Sequence, residues 1–186
     1  MFATSSRTAL PALVDALDLA VRPRRAAWRT VEGVEAALAP FLGRSDLLTL
    51  GQQVGDPAGY RSQVLHVPDD GAWSLMAMVW LAGQTTPIHD HVTWCVVGVH
   101  AGEELESRYR LVDDQLVEDQ VVVNPLGSVA GLLPPGDIHR VTNTGAGTTV
   151  SLHVYGVDVR QRGTSIRRRY DGPVIASAPP SALSPR

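Results

Sequence analysis

Apolar and polar positions divide the chain into two textures. Leu10, Leu13, Val14, Leu17 and Val21 recur at the i, i+3, i+4, i+7 spacing of one helical face. Pro23 breaks that run. A second helix is expected over Thr30 to Leu42, carrying Val31, Val34, Leu38 and Phe41, with Gly43 placed to end it. From Tyr60 onward, short runs rich in Val, Leu, Ile, Trp and Tyr alternate with Gly, Pro and Asp. The runs are Gln63–Val67, Trp73–Leu81, Trp94–Val99, Glu104–Leu111, Leu116–Val123, Arg140–Thr142 and Val150–Val157. Turn signals stand between them at Pro68 to Gly71, Asp113-Asp114 and Gly145 to Gly147. Many short strands at regular spacing predict an all-β barrel or sandwich. The expected organisation is one domain over 1–176, with a helical part over 1–45 and a β-barrel over 60–170. The Ser, Pro and Ala tail at 177–186 is expected to be disordered.

Composition narrows the function classes. The length of 186 residues suits one domain with a real core. Net charge is −3 and there is no basic stripe, so nucleic acid is not an expected partner. No apolar run reaches the ~20 residues that span a bilayer. Met1 to Arg25 lacks the features of a signal peptide, so a cytoplasmic protein is expected, as a monomer or weak homo-oligomer. The single cysteine, Cys95, excludes an internal disulfide and a multi-cysteine metal site. The six histidines are the chemical resource that remains.

His89 and His91 stand at i and i+2 in GQTTPIHDHVTWCVVGVHAG (83–102), so on a strand both leave one face. PPGDIHRVTN (134–143) adds His139 after a Pro-Gly turn. Together the two segments resemble the paired motifs of the cupin superfamily. Gly83, His89, His91 and Gly102 fall in register with the first motif, and Pro134, Gly136, His139 and Asn143 with the second. That resemblance implies a double-stranded β-helix barrel, all-β, with the histidines pointing inward on a metal. Where most cupins place a metal-binding Glu, this chain has Cys95. Three neutral imidazoles suit iron, zinc, copper or nickel, so the ligands alone do not name the ion.

The segment SLHVYG (151–156) narrows the resemblance. Ser151, His153 and Tyr155 stand at i, i+2 and i+4, so a strand projects all three to one face. A Ser-His-Tyr row beside a three-His site resembles the thiol dioxygenases, the cysteine dioxygenase family, from Tyr60 to about Tyr170. The resemblance implies ferrous iron on His89, His91 and His139, a small thiol carboxylate and dioxygen as substrates, and a sulfinic acid as product. It implies that Tyr155 orients the reactants while His153 and Ser151 fix its proton. Mammalian members join a Cys at the Cys95 position to the relay Tyr. Here Cys95 is open to two readings, such a thioether or a small buried hydrophobe.

The carboxylate partner is less defined. An Arg or Gln is usual two residues after the Tyr that matches Tyr60, but YRSQVLH has Ser62 there, flanked by Arg61 and Gln63. Alternation points those two away from Ser62 unless the strand bulges. In SIRRRY (165–170), Arg168 best matches an Arg of the bacterial 3-mercaptopropionate dioxygenases, with Arg167 next. A solvated basic cluster is the other reading. Trp94 before Cys95 also resembles those bacterial enzymes, so a 3-mercaptopropionate-like acid is expected ahead of cysteine.

The remaining polar and aromatic residues read more plainly. His66 is expected to be structural, His100 exposed in a turn, and Trp73 and Trp80 core. Asp90 must face away from its flanking ligands, supporting one of them indirectly or capping the next turn. The alternatives are another metal-dependent cupin enzyme, such as an isomerase or ring-cleaving dioxygenase, and a non-catalytic small-ligand binder.

Overall fold

A computed structural model describes residues 9–176; the tail at 177–186 lies outside them. Helices α1 (Leu10–Val21) and α2 (Ala27–Leu38) come first. The second starts earlier and stops sooner than its apolar spacing predicts. Pro40 has no N–H to bond back and disfavours helix at the residue before it, so the chain tightens into a 3-10 turn over Ala39–Phe41.

Eleven strands follow among the described residues: β1 (Arg61–His66), β2 (Ser74–Trp80), β3 (Ile88–His91), β4 (Cys95–Ala101), β5 (Glu103–Val112), β6 (Gln115–Pro125), β7 (Val129–Leu132), β8 (Ile138–Thr142), β9 (Thr149–Tyr155), β10 (Ile166–Tyr170) and β11 (Val174–Ala176). A short helix, α3 (Val159–Arg162), separates β9 from β10. The strands make two sheets, in the orders β1-β2-β9-β4-β7 and β10-β3-β8-β5-β6-β11. The sheets enclose a shared interior, as the cupin expectation requires. Gly83, Gly102 and Gly136, the motif glycines, all have positive φ (78°, 74° and 99°), a backbone conformation that costs other residues a clash at Cβ.

Strand β9 shows how the core positions the site. Every residue of it is buried. Val150, Leu152 and Val154 face outward under the helices, packing in one cluster with Leu13, Leu17, Val34 and Leu38. Their neighbours Ser151, His153 and Tyr155 therefore face the interior. Burying each such leucine stabilises the fold by roughly 1.5–3 kcal/mol. Close approach of α2 depends on Gly131, where a Cβ would stand 2.2 Å from Val31 Cγ1.

Candidate metal centre

His89 and His91 on β3 and His139 on β8 meet inside the barrel. Register pairs His89 with His139, and alternation brings His91 to the same face. Their ring centroids are 4.6–5.1 Å apart. One ring nitrogen from each lies within 4.8 Å of the others, and all three residues are buried.

Each imidazole is oriented from behind. Nδ1 of His89 lies 2.9 Å from the Pro87 carbonyl oxygen. Nδ1 of His91 lies 2.9 Å from Asp137 Oδ2, which also accepts the His91 backbone N–H. Nδ1 of His139 lies 2.9 Å from Glu106 Oε1. All three acceptors call for a proton on Nδ1, leaving Nε2 as a lone-pair donor toward the shared space. Nε2 of His139 is buried with no hydrogen-bond partner, as a nitrogen meant for a metal would be. Burial, reinforced by His139 and His91, lowers the His89 pKa to about 3, so the ring is neutral and free to ligate. Burial opposes charge on Glu106, but hydrogen bonds from His139 and Arg108 outweigh it and hold the carboxyl at about 2. Asp137 behaves likewise: burial opposes its charge, yet its His91 bonds hold it below the usual carboxylate range. The residues present therefore fit a divalent metal.

A second row runs along the adjoining wall. Tyr155 Oη is 3.1 Å from His153 Nδ1, and His153 Nε2 is 2.9 Å from Ser151 Oγ. Trp80 Nε1 donates to that Oγ at 3.0 Å. Burial, aided by the nearby metal-site imidazoles, lowers the His153 pKa to about 3, so the ring is a neutral link. Tyr155 and Cys95 are paired across β9 and β4, and both are buried. Burial pushes both hydroxyl and thiol well above their ordinary pKa values.

The metal-facing cavity holds about 90 Å³. Its floor is the three histidines and Tyr155, and its walls include Met76, Met78 and His153. Tyr60, Ser62, Thr164, Ser165 and Ile166 complete it. Of the expected carboxylate partners, only Ser62 reaches the cavity. Arg61 is exposed and donates to the Val54 carbonyl, while Gln63 donates to the Gln52 carbonyl. The bulge of β1 comes only after Val64, too late to turn either one inward.

The SIRRRY segment is corrected as well. It forms β10, an edge strand paired with β3. Edge strands tolerate a solvated charged face, which accounts for three adjacent arginines. Arg168 is exposed and lies over the Tyr170 ring. Arg167 binds Asp90, which also accepts from the Tyr170 hydroxyl at 2.9 Å. Asp90 therefore caps no turn; it ties β10 to the outer side of β3, the strand that carries His89 and His91. His100 is another correction. It is buried, because a bulge between Val99 and Ala101 carries β4 through it where a turn was expected. Trp73 and Trp80 are buried as expected.

Two functional side chains escaped the sequence reading. Asp137 had a usable signal, standing two residues before His139 on the same approach. Glu106 lies 33 positions from its partner and had none.

Comparison with known proteins adds two kinds of finding. A family model described as cysteine dioxygenase type I matches residues 53–162, which include all three histidines and the Ser151–His153–Tyr155 row. Similar solved structures include a cupin superfamily protein from Desulfitobacterium hafniense (15% identity, TM-score 0.46, covering 63% of this chain and 96% of that one). A double-stranded β-helix protein from Klebsiella pneumoniae is also similar (16% identity, TM-score 0.48, 62% and 92%). So is Peruvianin-I, a cysteine peptidase from Thevetia peruviana latex (20% identity, TM-score 0.45, 62% and 78%).

Proposed function

The chain belongs to the cysteine dioxygenase type I family, and on that premise we propose that it is an iron-dependent thiol dioxygenase acting on a small mercapto acid. The observation that carries this reading is the hydrogen-bonded Ser151–His153–Tyr155 row set against three inward histidines in one cavity. In the reaction RSH + O2 → RSO2H, both oxygen atoms end on sulfur.

His89, His91 and His139 would hold the ion through Nε2. A bound ferrous ion would acidify the thiol it coordinates and supply reducing power toward dioxygen. Neutral imidazoles leave the ion's charge to the substrate. Tyr155 places a hydroxyl at the floor of the cavity, where it can donate to an oxygen or sulfur of the reacting groups. His153 fixes that hydroxyl through Nδ1. Met76 and Met78 give an apolar wall suited to a short methylene stem and keep water away from it.

The finer reading is a 3-mercaptopropionate-like acid, with cysteine next. The hydroxyls of Tyr60, Ser62 and Thr164 offer donors to a carboxylate. Among the described residues, the cavity's near carboxyls, Asp137 and Glu106, stand behind the ligand rings and offer no partner to an α-ammonium. That favours a thiol without one. Iron-loaded protein should consume one dioxygen per thiol with 3-mercaptopropionate and yield the sulfinate, read by oxygen electrode and mass spectrometry. No uptake with 3-mercaptopropionate, cysteine, cysteamine or mercaptosuccinate would return the chain to another metal-dependent cupin activity or to ligand binding.

A further inference from the structure

Away from the metal, a groove lies between the helices and the barrel. It holds about 570 Å³, within the roughly 300–1,000 Å³ of small-molecule sites in general. The turn from α1 to α2 brings Arg22, Arg24 and Arg25 to one side, and the turn before β2 brings Asp70 and Ala72 to the other. The more buried Trp73 and Trp94 form its floor. The groove shares no lining residue with the metal-facing cavity.

Its two carboxylates are already engaged. Asp18 accepts from Arg22 Nε at 2.8 Å and from Trp73 Nε1 at 3.1 Å. Asp70 Oδ1 accepts the Ala72 backbone N–H at 3.1 Å, within its own turn. Elsewhere in the molecule exposed arginines find partners: Arg44, Arg110 and Arg160 pair with carboxylates, and Arg29 and Arg168 lie over aromatic rings. Among the described residues, Arg24 and Arg25 do neither. Three arginines against two aspartates leave the groove with one positive charge.

The floor is open in the same way. Among the described residues, no arginine of the groove stacks on either indole. Thr30 also lines the groove and is only 5% exposed. Its hydroxyl makes one long contact, a 3.5 Å donation to the Ala26 carbonyl, and accepts from no described residue. A polar atom at that depth is normally better satisfied. Unpaired guanidinium groups call for an anion, and bare indole carbon calls for a flat apolar surface.

We propose that this groove is a second ligand site, which takes a small organic anion with a flat apolar body. Arg24 and Arg25 hold the charged head, whose oxygens accept their N–H groups. Trp73 and Trp94 hold the body, and Arg22 stays with Asp18. A monoanion neutralises the charge that the groove's own side chains leave over. Trp94 precedes Cys95, and its carbonyl accepts the Gly156 N–H at 3.2 Å, one residue after Tyr155. The floor is thereby joined to the strands behind the metal centre, while the site does not depend on the reaction proposed there.

Isothermal titration calorimetry with benzenesulfonate tests the site, with methanesulfonate and benzyl alcohol as its separate halves. Iron-loaded protein should bind one benzenesulfonate saturably, about tenfold or more tighter than either half. Arg24→Gln/Arg25→Gln, at two exposed turn positions, should weaken binding about tenfold or more, the value of one charge-assisted hydrogen bond. Arg29→Gln/Arg162→Gln makes the same change in net charge outside the groove and should leave binding unaltered. Ala72→Trp fills the groove without altering charge and should abolish binding, with the thermal midpoint of every variant checking its fold. No saturation by about 10 mM in the wild type overturns the proposal without needing any variant to fold. Equal weakening in the two double variants, or methanesulfonate bound as tightly as benzenesulfonate, overturns it too. Binding that survives both groove variants places the ligand elsewhere and has the same result. Failure of thiol oxidation in protein that binds benzenesulfonate would overturn the function and leave the groove standing.

Discussion

At the inner wall of the cavity, each metal-facing imidazole has its far nitrogen fixed by an acceptor, two of them carboxylates buried behind the rings. At the rim, Ser62 comes from β1, which lies at one edge of its sheet, and Thr164 from the three-residue connection after α3. The wall is built on paired central strands and charge-assisted hydrogen bonds. The rim is built on neutral hydroxyls at positions that few other contacts depend on. On the proposed reading, metal binding would be fixed by several mutually supporting interactions, while substrate selection would rest on the rim hydroxyls. A family can keep one chemistry and vary its thiol by this division.

The largest effect should come from removing a ligand. His139→Ala leaves two imidazoles and an idle Glu106, and should lose both bound iron and thiol oxidation to background. Metal analysis after dialysis checks it; full occupancy would remove His139 from the ligand set. One step back, Asp137→Asn keeps all three rings but weakens the hold on His91. Loss of such a partner typically costs 10–100-fold in metal affinity. A chelator competition should show about that loss with near-normal circular dichroism. An unchanged affinity would mean that the wall is less over-determined than its hydrogen bonds imply.

Glu104, buried two residues before Glu106 on β5, belongs to the wall in position but differs from it in charge economy. Its folded pKa of about 7 lies above the usual carboxylate value of 4.5. Between those pH values folded Glu104 binds the extra proton, so its own contribution to stability falls as pH rises through that window and levels off above about 7. The loss is on the order of 3 kcal/mol. Because His89 and His153 stay neutral only when folded, urea midpoints should rise from pH 4.5 toward 6.5, and from pH 4.5 to 7.5 they should rise further in Glu104→Gln than in the wild type. Parallel curves would show that Glu104 ionises as it does in the unfolded chain.

The same contrast decides what the sequence could reveal. The three ligands and the Ser151–His153–Tyr155 row were legible because alternation along a strand is local, and i, i+2 spacing fixes a shared face. The two helices were legible from their apolar stripes, apart from an end set by Pro40. Glu106 was not legible: its role depends on β5 lying beside β8, a pairing between residues 33 apart in sequence. The rim was misread for a related reason. Three consecutive arginines look like a binding cluster, yet the pairing of β10 with β3 turns Arg168 to solvent and gives Arg167 to Asp90. Composition shows that a charge is present, and only the register shows where it points.

The rim itself can be rewritten. Ser62→Arg should place a guanidinium where a mercapto acid's carboxylate reaches. A charge-assisted hydrogen bond is worth roughly 1.5–3 kcal/mol. KM for 3-mercaptopropionate should fall about tenfold or more on that basis, with cysteamine gaining nothing and metal content unchanged. Equal changes for both thiols would show that the carboxylate does not lie against β1.

The smallest effect should come from the arginines that the sequence put forward. Arg168→Ala removes an exposed side chain resting on Tyr170 and should leave KM and stability within error of the wild type. Arg167→Ala removes one partner of a buried carboxylate, but Tyr170 still donates to Asp90. The guanidinium side chain is 53% exposed, so screening by water discounts the pair. The loss should be slight, seen as a small drop in the urea midpoint, with KM for mercapto acids unchanged. A several-fold rise in KM in either variant, at normal iron content, would bring the guanidinium over the rim in the substrate complex. The comparison between a charged wall and a neutral rim would then fail at the rim and hold at the wall.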